Sequence, residues 1–143
     1  MDQLIEFTNA HPILVTGLIA MALATIFYEL RLRTGGLSGV SALQAVRLIN
    51  DGGRVVDVRE KTLFDSGHIV DAVNIPATEL AGDNSARFKK AKSVILVCDN
   101  GVSSGKCVDP LRKAGLENAF SLKGGLAAWR NENLPIVSSV DDK

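Results

Sequence analysis

Two cysteines, Cys98 and Cys107, lie nine positions apart in a chain of 143 residues. Two thiols do not make a disulfide framework, and neither has the C-x-x-C partner or nearby histidine of a zinc site. No metal and no cofactor is therefore expected. A thiol can instead act as a nucleophile where its surroundings favour the thiolate. Cys98 has such a setting: it follows Ser93-Val94-Ile95-Leu96-Val97 and opens Cys98-Asp99-Asn100-Gly101-Val102-Ser103-Ser104-Gly105. Small, turn-forming residues let that loop curl and aim successive N–H groups inward. A helix beginning near Ser103 would add unpaired amides and the positive end of its dipole. The cradle would stabilise a thiolate, a bound oxyanion or the outer sulfur of a persulfide. The competing reading is a small apolar cysteine buried at the end of a strand.

The elements that must position this loop alternate along the chain. Ser41 is expected to cap a helix reaching Asn50, stopped by Gly52 and Gly53. Residues 54–58 read as a short β-branched strand, 61–66 as a helical turn, and 72–75 as another strand before Pro76. The run 93–97 is apolar throughout, as expected of a strand buried on both faces of a parallel sheet. Pro110 interrupts the next helical stretch. Asp109 and Pro110 are expected to start a second helix, leaving 105–108 irregular. Residues 111–114 then read as helix, 119–122 as strand and 126–130 as helix. Alternation of this kind indicates an α/β fold with a mainly parallel sheet flanked by helices. In such sheets ligands bind beyond the carboxyl ends of the strands, where Cys98 should emerge.

The front of the chain belongs to another solvent. Lys and Arg together number 16, as do Asp and Glu, so no global field favours nucleic acid and no nucleic-acid partner is expected. Yet residues 12–28 carry no charge, and every Lys and Arg follows them. Seventeen helical residues span about 26 Å, just short of the hydrocarbon thickness of about 30 Å. Leu30 and Leu32 can extend the span if Glu29 and Arg31 snorkel. Asn9 is a candidate N-cap, Pro12 suits the first turn, and Tyr28 an interface. One transmembrane helix over 12–30 is expected, touching the lipid bilayer, between an extracytoplasmic segment 1–11 and a joint 31–37. Arg31 and Arg33 place the C-terminal side in the cytoplasm. A cleaved signal peptide and a buried soluble helix are the alternatives. The former lacks its positive amino-terminal region, and the latter would need cover around its whole circumference. A globular domain over 38–137 and a flexible tail over 138–143 complete the organisation.

Three stretches together resemble the rhodanese-like domain family. The first runs Val55-Val56-Asp57-Val58-Arg59-Glu60 and then Phe64-Asp65-Ser66-Gly67-His68-Ile69-Val70-Asp71-Ala72-Val73-Asn74-Ile75-Pro76. The second is the Cys98 loop. The third is Leu122-Lys123-Gly124-Gly125-Leu126-Ala127-Ala128-Trp129, ending at Leu134-Pro135. The anchor ahead of one such domain is similar to a bacterial subgroup tethered to the membrane, which implies the inner membrane. The resemblance implies a sulfurtransferase. Sulfane sulfur would pass from a small donor such as thiosulfate or mercaptopyruvate, through a Cys98 persulfide, to a thiol or cyanide. It implies that the amides of Asp99, Asn100, Gly101, Val102 and Ser103 form the cradle, with hydroxyls from Ser103 and Ser104. Related phosphatases use a loop one residue longer closed by arginine, and Ser104 stands there instead. Two positions depart from the family pattern. Asp99 replaces a basic residue common in thiosulfate-using members, and Asp71 replaces a small residue, usually glycine.

The remaining residues have two readings each. His68 is a general base or a structural hydrogen bonder; Asp57 and Arg59 line the pocket mouth or orient the turn after their strand. Lys106 attracts anions or is merely exposed, and Trp129 is expected in the core. Cys107 is core, or it resolves an oxidised Cys98 as a disulfide. Two whole-protein alternatives accompany the enzyme: a non-catalytic binding module at the membrane, and a redox sensor using Cys98 and Cys107. No protein partner can be named from the residues.

Overall fold

Residues 94–97 have no polar side chain, and they form the strand around which the domain is built. The computed structural model describes residues 7–34 and 38–139, which fall into two units divided at residue 37.

In the second unit, strands β1 (Gly39–Val40), β2 (Arg54–Asp57), β4 (Val73–Asn74), β5 (Val94–Val97) and β6 (Ala119–Leu122) make one sheet, ordered β1-β6-β5-β2-β4. Every pairing in it is parallel. β5 lies at its centre, with all four residues buried. Strand side chains alternate between faces, so β2 and β5 feed two cores. Val56, Val94 and Leu96 pack with Val108, Leu111 and Leu116 on one face. Val55, Ile95 and Val97 pack with Leu122, Leu126 and Trp129 on the other. Trp129 is thus a core residue, and its indole N–H donates to the Pro135 carbonyl at 3.0 Å. A separate antiparallel pair joins β3 (His68–Ile69) to β7 (Ile136–Val137).

Helix α2 (Ala42–Asn50) starts where expected, at Ser41. The Ser41 hydroxyl accepts from the Gln44 amide and the Gln44 side chain accepts from the Ser41 amide, a reciprocal capping box. α3 (Lys61–Ser66) and the short α4 (Asp83–Ala86) follow, with a 3₁₀ turn at Ala77–Glu79 between them.

The expected break at Pro110 is corrected. Residues 105–108 are not irregular, and no second helix starts at Asp109: α5 runs unbroken from Val102 to Lys113 with Pro110 inside it. An interior proline costs about 3 kcal/mol. Val108 and Leu111, one on each side, are buried in the core, each contributing about 1.5–3 kcal/mol. Tertiary packing therefore outweighs the local penalty. α6 (Gly125–Asn131) closes the set.

In the first unit, α1 spans Pro12–Thr34 with proline at its first position. Residues 7–10 are already helical, so Asn9 sits within a turn rather than at a cap. Pro12–Glu29 is long and apolar enough to cross a membrane. The hydroxyls of Thr16 and Thr25 donate back to the carbonyls of Pro12 and Met21, which leaves neither polar group unpaired in an apolar setting. The helix extends through 31–34, the first part of the expected joint; Gly35 and Gly36 lie outside the described residues. At the start of the expected tail, two hydrogen bonds return to α3. The Ser138 hydroxyl and the Ser139 amide both donate to the Asp65 carbonyl, each at 3.1 Å. Residues 140–143 of that tail, and 1–6 of the amino-terminal segment, lie outside the described residues.

Candidate active site

A loop leaving a central parallel strand must turn away from the sheet without stranding its backbone polar groups. At the end of β5, Cys98 and Asp99 achieve this by handing their carbonyls to α6: Leu126 N–H donates to Cys98 O at 2.8 Å and Ala127 N–H to Asp99 O at 3.1 Å. That closeness is possible because residue 125 is glycine. A Cβ there would collide with the Cys98 carbonyl oxygen and lie 2.6 Å from the Asn100 nitrogen, and its φ is +57°. Gly101, at φ +87°, then reverses the chain into α5.

The turn wraps backbone around sulfur. Gly101 N–H donates to Cys98 Sγ at 3.0 Å and Ser104 N–H at 3.4 Å. The Ser104 hydroxyl lies 3.4 Å from the same sulfur. Burial by itself would push the Cys98 thiol up. The Ser104 hydroxyl and the amides of Ser104, Asn100 and Gly101 outweigh it, and the thiol sits below its ordinary value. Asn100 also braces the loop, since its Oδ1 accepts the Val102 amide at 3.0 Å.

Behind Ser104 stands a residue that the sequence reading did not single out. Ser121 Oγ lies 3.0 Å from Ser104 Oγ, and the two side chains belong to residues only 3% and 0% exposed. When the Ser104 hydroxyl donates to a thiolate, its oxygen is left to accept from Ser121. The pair then points two aligned O–H dipoles at the sulfur. The available signal was a lone serine in the otherwise apolar strand 119–122.

Cys98 is reached through a cleft of about 370 Å³ lined by Val58, Arg59, Glu60, Leu63, Ala77, Thr78, Cys98, Asp99, Asn100 and Ser103. Arg59, Asp99, Asn100 and Ser103 thus come together with the cysteine. Gly101 and Ser104 reach it from beneath, while the Val102 side chain is exposed and its amide is turned to Asn100. Arg59 serves both readings made of it. Its Nε donates to Asp57 Oδ1 at 2.9 Å and its Nη2 to Oδ2 at 2.7 Å, a buried two-pronged pair; Nη2 also donates to Gly67 O at 2.8 Å. Its Nη1 reaches Asp99 Oδ1 at 3.1 Å. Asp57 therefore orients the turn, and Arg59 extends from it to the cleft. The Asp99 side chain, 63% exposed, points to Arg59 and solvent.

His68 is a structural residue. Its Nδ1 bonds the Phe64 carbonyl at 2.8 Å and its ring stacks on Phe64. Asp71 takes a φ of 60°, the backbone region that glycine adopts freely. Lys106 and Cys107 line a different, mostly apolar cavity with Leu80, Pro110 and Leu111. Both cysteines are free thiols. No cluster of metal-ligating side chains occurs among the described residues.

The family model for the Rhodanese-like domain matches residues 41–132. The uncharacterized protein YibN of Escherichia coli (strain K12) is 34% identical over 140 residues, spanning 96% of this chain and 98% of YibN. The probable adenylyltransferase/sulfurtransferase MoeZ of Mycobacterium tuberculosis is 33% identical over 89 residues, 59% of this chain but only 23% of MoeZ. A crystal structure of a rhodanese-related protein from Thermoplasma volcanium superposes with a TM-score of 0.63 at 28% identity. It covers 69% of this chain and 96% of its own.

Proposed function

We propose that this chain, which belongs to the rhodanese-like domain family, is a sulfurtransferase that carries sulfane sulfur as a persulfide on Cys98. The observation that carries this reading is the coordination of Sγ by the Gly101 and Ser104 amides and the Ser104 hydroxyl. The same donors suit a thiolate before transfer and the outer sulfur after it. The partial match to MoeZ supports the chemistry from outside. In the first half-reaction the thiolate attacks the outer sulfur of a small donor. In thiosulfate or a persulfide the S–S bond breaks and its electron pair leaves with the remainder, as sulfite from thiosulfate. In mercaptopyruvate the C–S bond breaks and its pair leaves on the enolate of pyruvate. In the second, a thiolate or cyanide takes that sulfur and returns Cys98 as thiolate. No electrons are gained or lost overall.

The test is mass spectrometry of the donor-treated protein. One added sulfur is expected on the peptide containing Cys98, and none in Cys98→Ser. An adduct that persists in that variant sinks the assignment. Failure of thiosulfate, mercaptopyruvate and persulfide donors alike, with the fold intact by circular dichroism, favours the non-catalytic binding module.

The apolar stretch Pro12–Glu29 supports a second part of the proposal: a single-pass anchor in a bacterial inner membrane, its catalytic domain (38–137) cytoplasmic because Arg31 and Arg33 follow the span. Resistance to alkaline carbonate extraction and a cytoplasmic signal from a carboxyl-terminal reporter are expected. A shorter mature protein free of the membrane would indicate a signal peptide instead.

A further inference from the structure

The cleft above Cys98 carries its own charge pattern. Arg59 is the single cation among its lining residues, and each of its nitrogens is committed: Nε and Nη2 to Asp57, Nη2 also to Gly67 O, and Nη1 to Asp99. Asp99 and Glu60, both exposed, face the same cleft. One buried carboxylate, two exposed ones and one guanidinium leave the entrance net negative, with no unpaired cation on its lining. Lys106 lines the neighbouring cavity instead. A dianion approaching Cys98 must therefore pass two carboxylates and meet a sulfur that itself ionises readily. Asp99 and Glu60 stand exposed at the mouth of the cleft, so their repulsion is strongest at low ionic strength and weakens as salt is added.

We infer that Asp99, with Glu60, selects the sulfur donor: Cys98 draws its sulfur from a persulfide whose carrier is neutral or cationic near the reacting sulfur, and disfavours the thiosulfate dianion. This rests on the sulfurtransferase reading and narrows it. In the transfer, Cys98 Sγ attacks the outer sulfur of R–S–SH and a new S–S bond forms. The old S–S bond breaks, its electron pair leaves on R–S⁻, and the proton stays on the transferred sulfur as Cys98–S–SH. The moving sulfur keeps its oxidation state, so no further reagent is required.

Two measurements on the full chain in detergent, with Cys107→Ser as background, test this. The first reads charge without sulfur transfer: alkylation of Cys98 by neutral iodoacetamide and by anionic iodoacetate, each normalised to free mercaptoethanol. The neutral reagent is expected to be favoured by about tenfold or more, and Asp99→Asn to remove most of that preference. Added salt should shrink it as well. A normalised ratio near one, or one that Asp99→Asn leaves unchanged, overturns the inference. The second compares sulfur loading from thiosulfate and from cysteamine persulfide. Faster loading from the cationic donor is expected, with Asp99→Asn raising the thiosulfate rate and not the other. Equal loading from both overturns the donor inference and leaves the sulfurtransferase reading standing. Loading from neither, with Cys98 still alkylated, overturns the reading beneath it.

Discussion

Cys98 and Cys107 are the same residue type, nine positions apart in one domain, the first buried and the second half-buried, yet the better buried one is the more acidic. Burial pushes the Cys107 thiol up, and the charge on Cys98 pushes it further. Burial acts on Cys98 in the same direction, but two amides and a hydroxyl within hydrogen-bonding reach of its sulfur reverse the outcome. Desolvation is thus common to both sites, and donor geometry separates them. The start of α5 has amides without helical partners to offer; its interior, where Cys107 sits, has already used them.

That contrast can be broken most severely at Gly125. Gly125→Ala puts a methyl group against the Cys98 carbonyl and the Asn100 nitrogen, so the loop must move off its sulfur. Cys98 should then behave as Cys107 does. Alkylation at neutral pH is expected to fall at least about a hundredfold, with stability lowered by a few kcal/mol in thermal melts. Wild-type kinetics in this variant would show that the loop tolerates displacement.

Removing the hydroxyls is the milder intervention. A hydrogen bond to a charged group contributes about 1.5–3 kcal/mol, so Ser104→Ala should slow alkylation at neutral pH by about tenfold. In the wild type, the rate rises through a pH below the ordinary thiol value and then levels. Losing a donor moves that midpoint upward. Ser121→Ala should move it the same way by less, because Ser121 acts only through Ser104. Ser121→Thr, which keeps the hydroxyl, should restore it. A Ser121→Ala profile superimposable on the wild type would reduce that residue to packing.

The smallest effect runs the other way. Since the charge on Cys98 raises the Cys107 thiol, Cys98→Ser should speed alkylation of Cys107, by no more than about threefold. Unchanged Cys107 kinetics would mean the two sulfurs are electrically independent.

Much of this contrast could be read before any coordinates. The unbroken apolar run at 94–97 announced a central strand, and so located the cysteine at its carboxyl end. The small residues of 98–105 announced a cradle. What escaped has physical reasons. Ser104 and Ser121 are 17 residues apart and meet only because β6 is laid beside β5. Asp99 finds Arg59 across 40 residues. Its sign was plain in the sequence and its partner was not. The strands β1, β3 and β7 have two residues each, too short for any periodicity. Pro110 misled because a local rule was overruled by Val108 and Leu111, whose core partners lie far along the chain. The bounds of α1 were approximate for another reason. Apolar composition identifies a span without marking where hydrogen bonding ends.

The strand order β1-β6-β5-β2-β4 places the last strand of the sheet beside the strand that delivers the cysteine. Ser121 and the amides of Leu126 and Ala127, which hold the loop from behind, come after Cys98 in the chain. A chain still on the ribosome, or cut short before residue 126, cannot assemble that support. Its cysteine loop would lack the bonds that fix it to α6, so under the proposed function sulfur transfer waits until synthesis of the domain is nearly done.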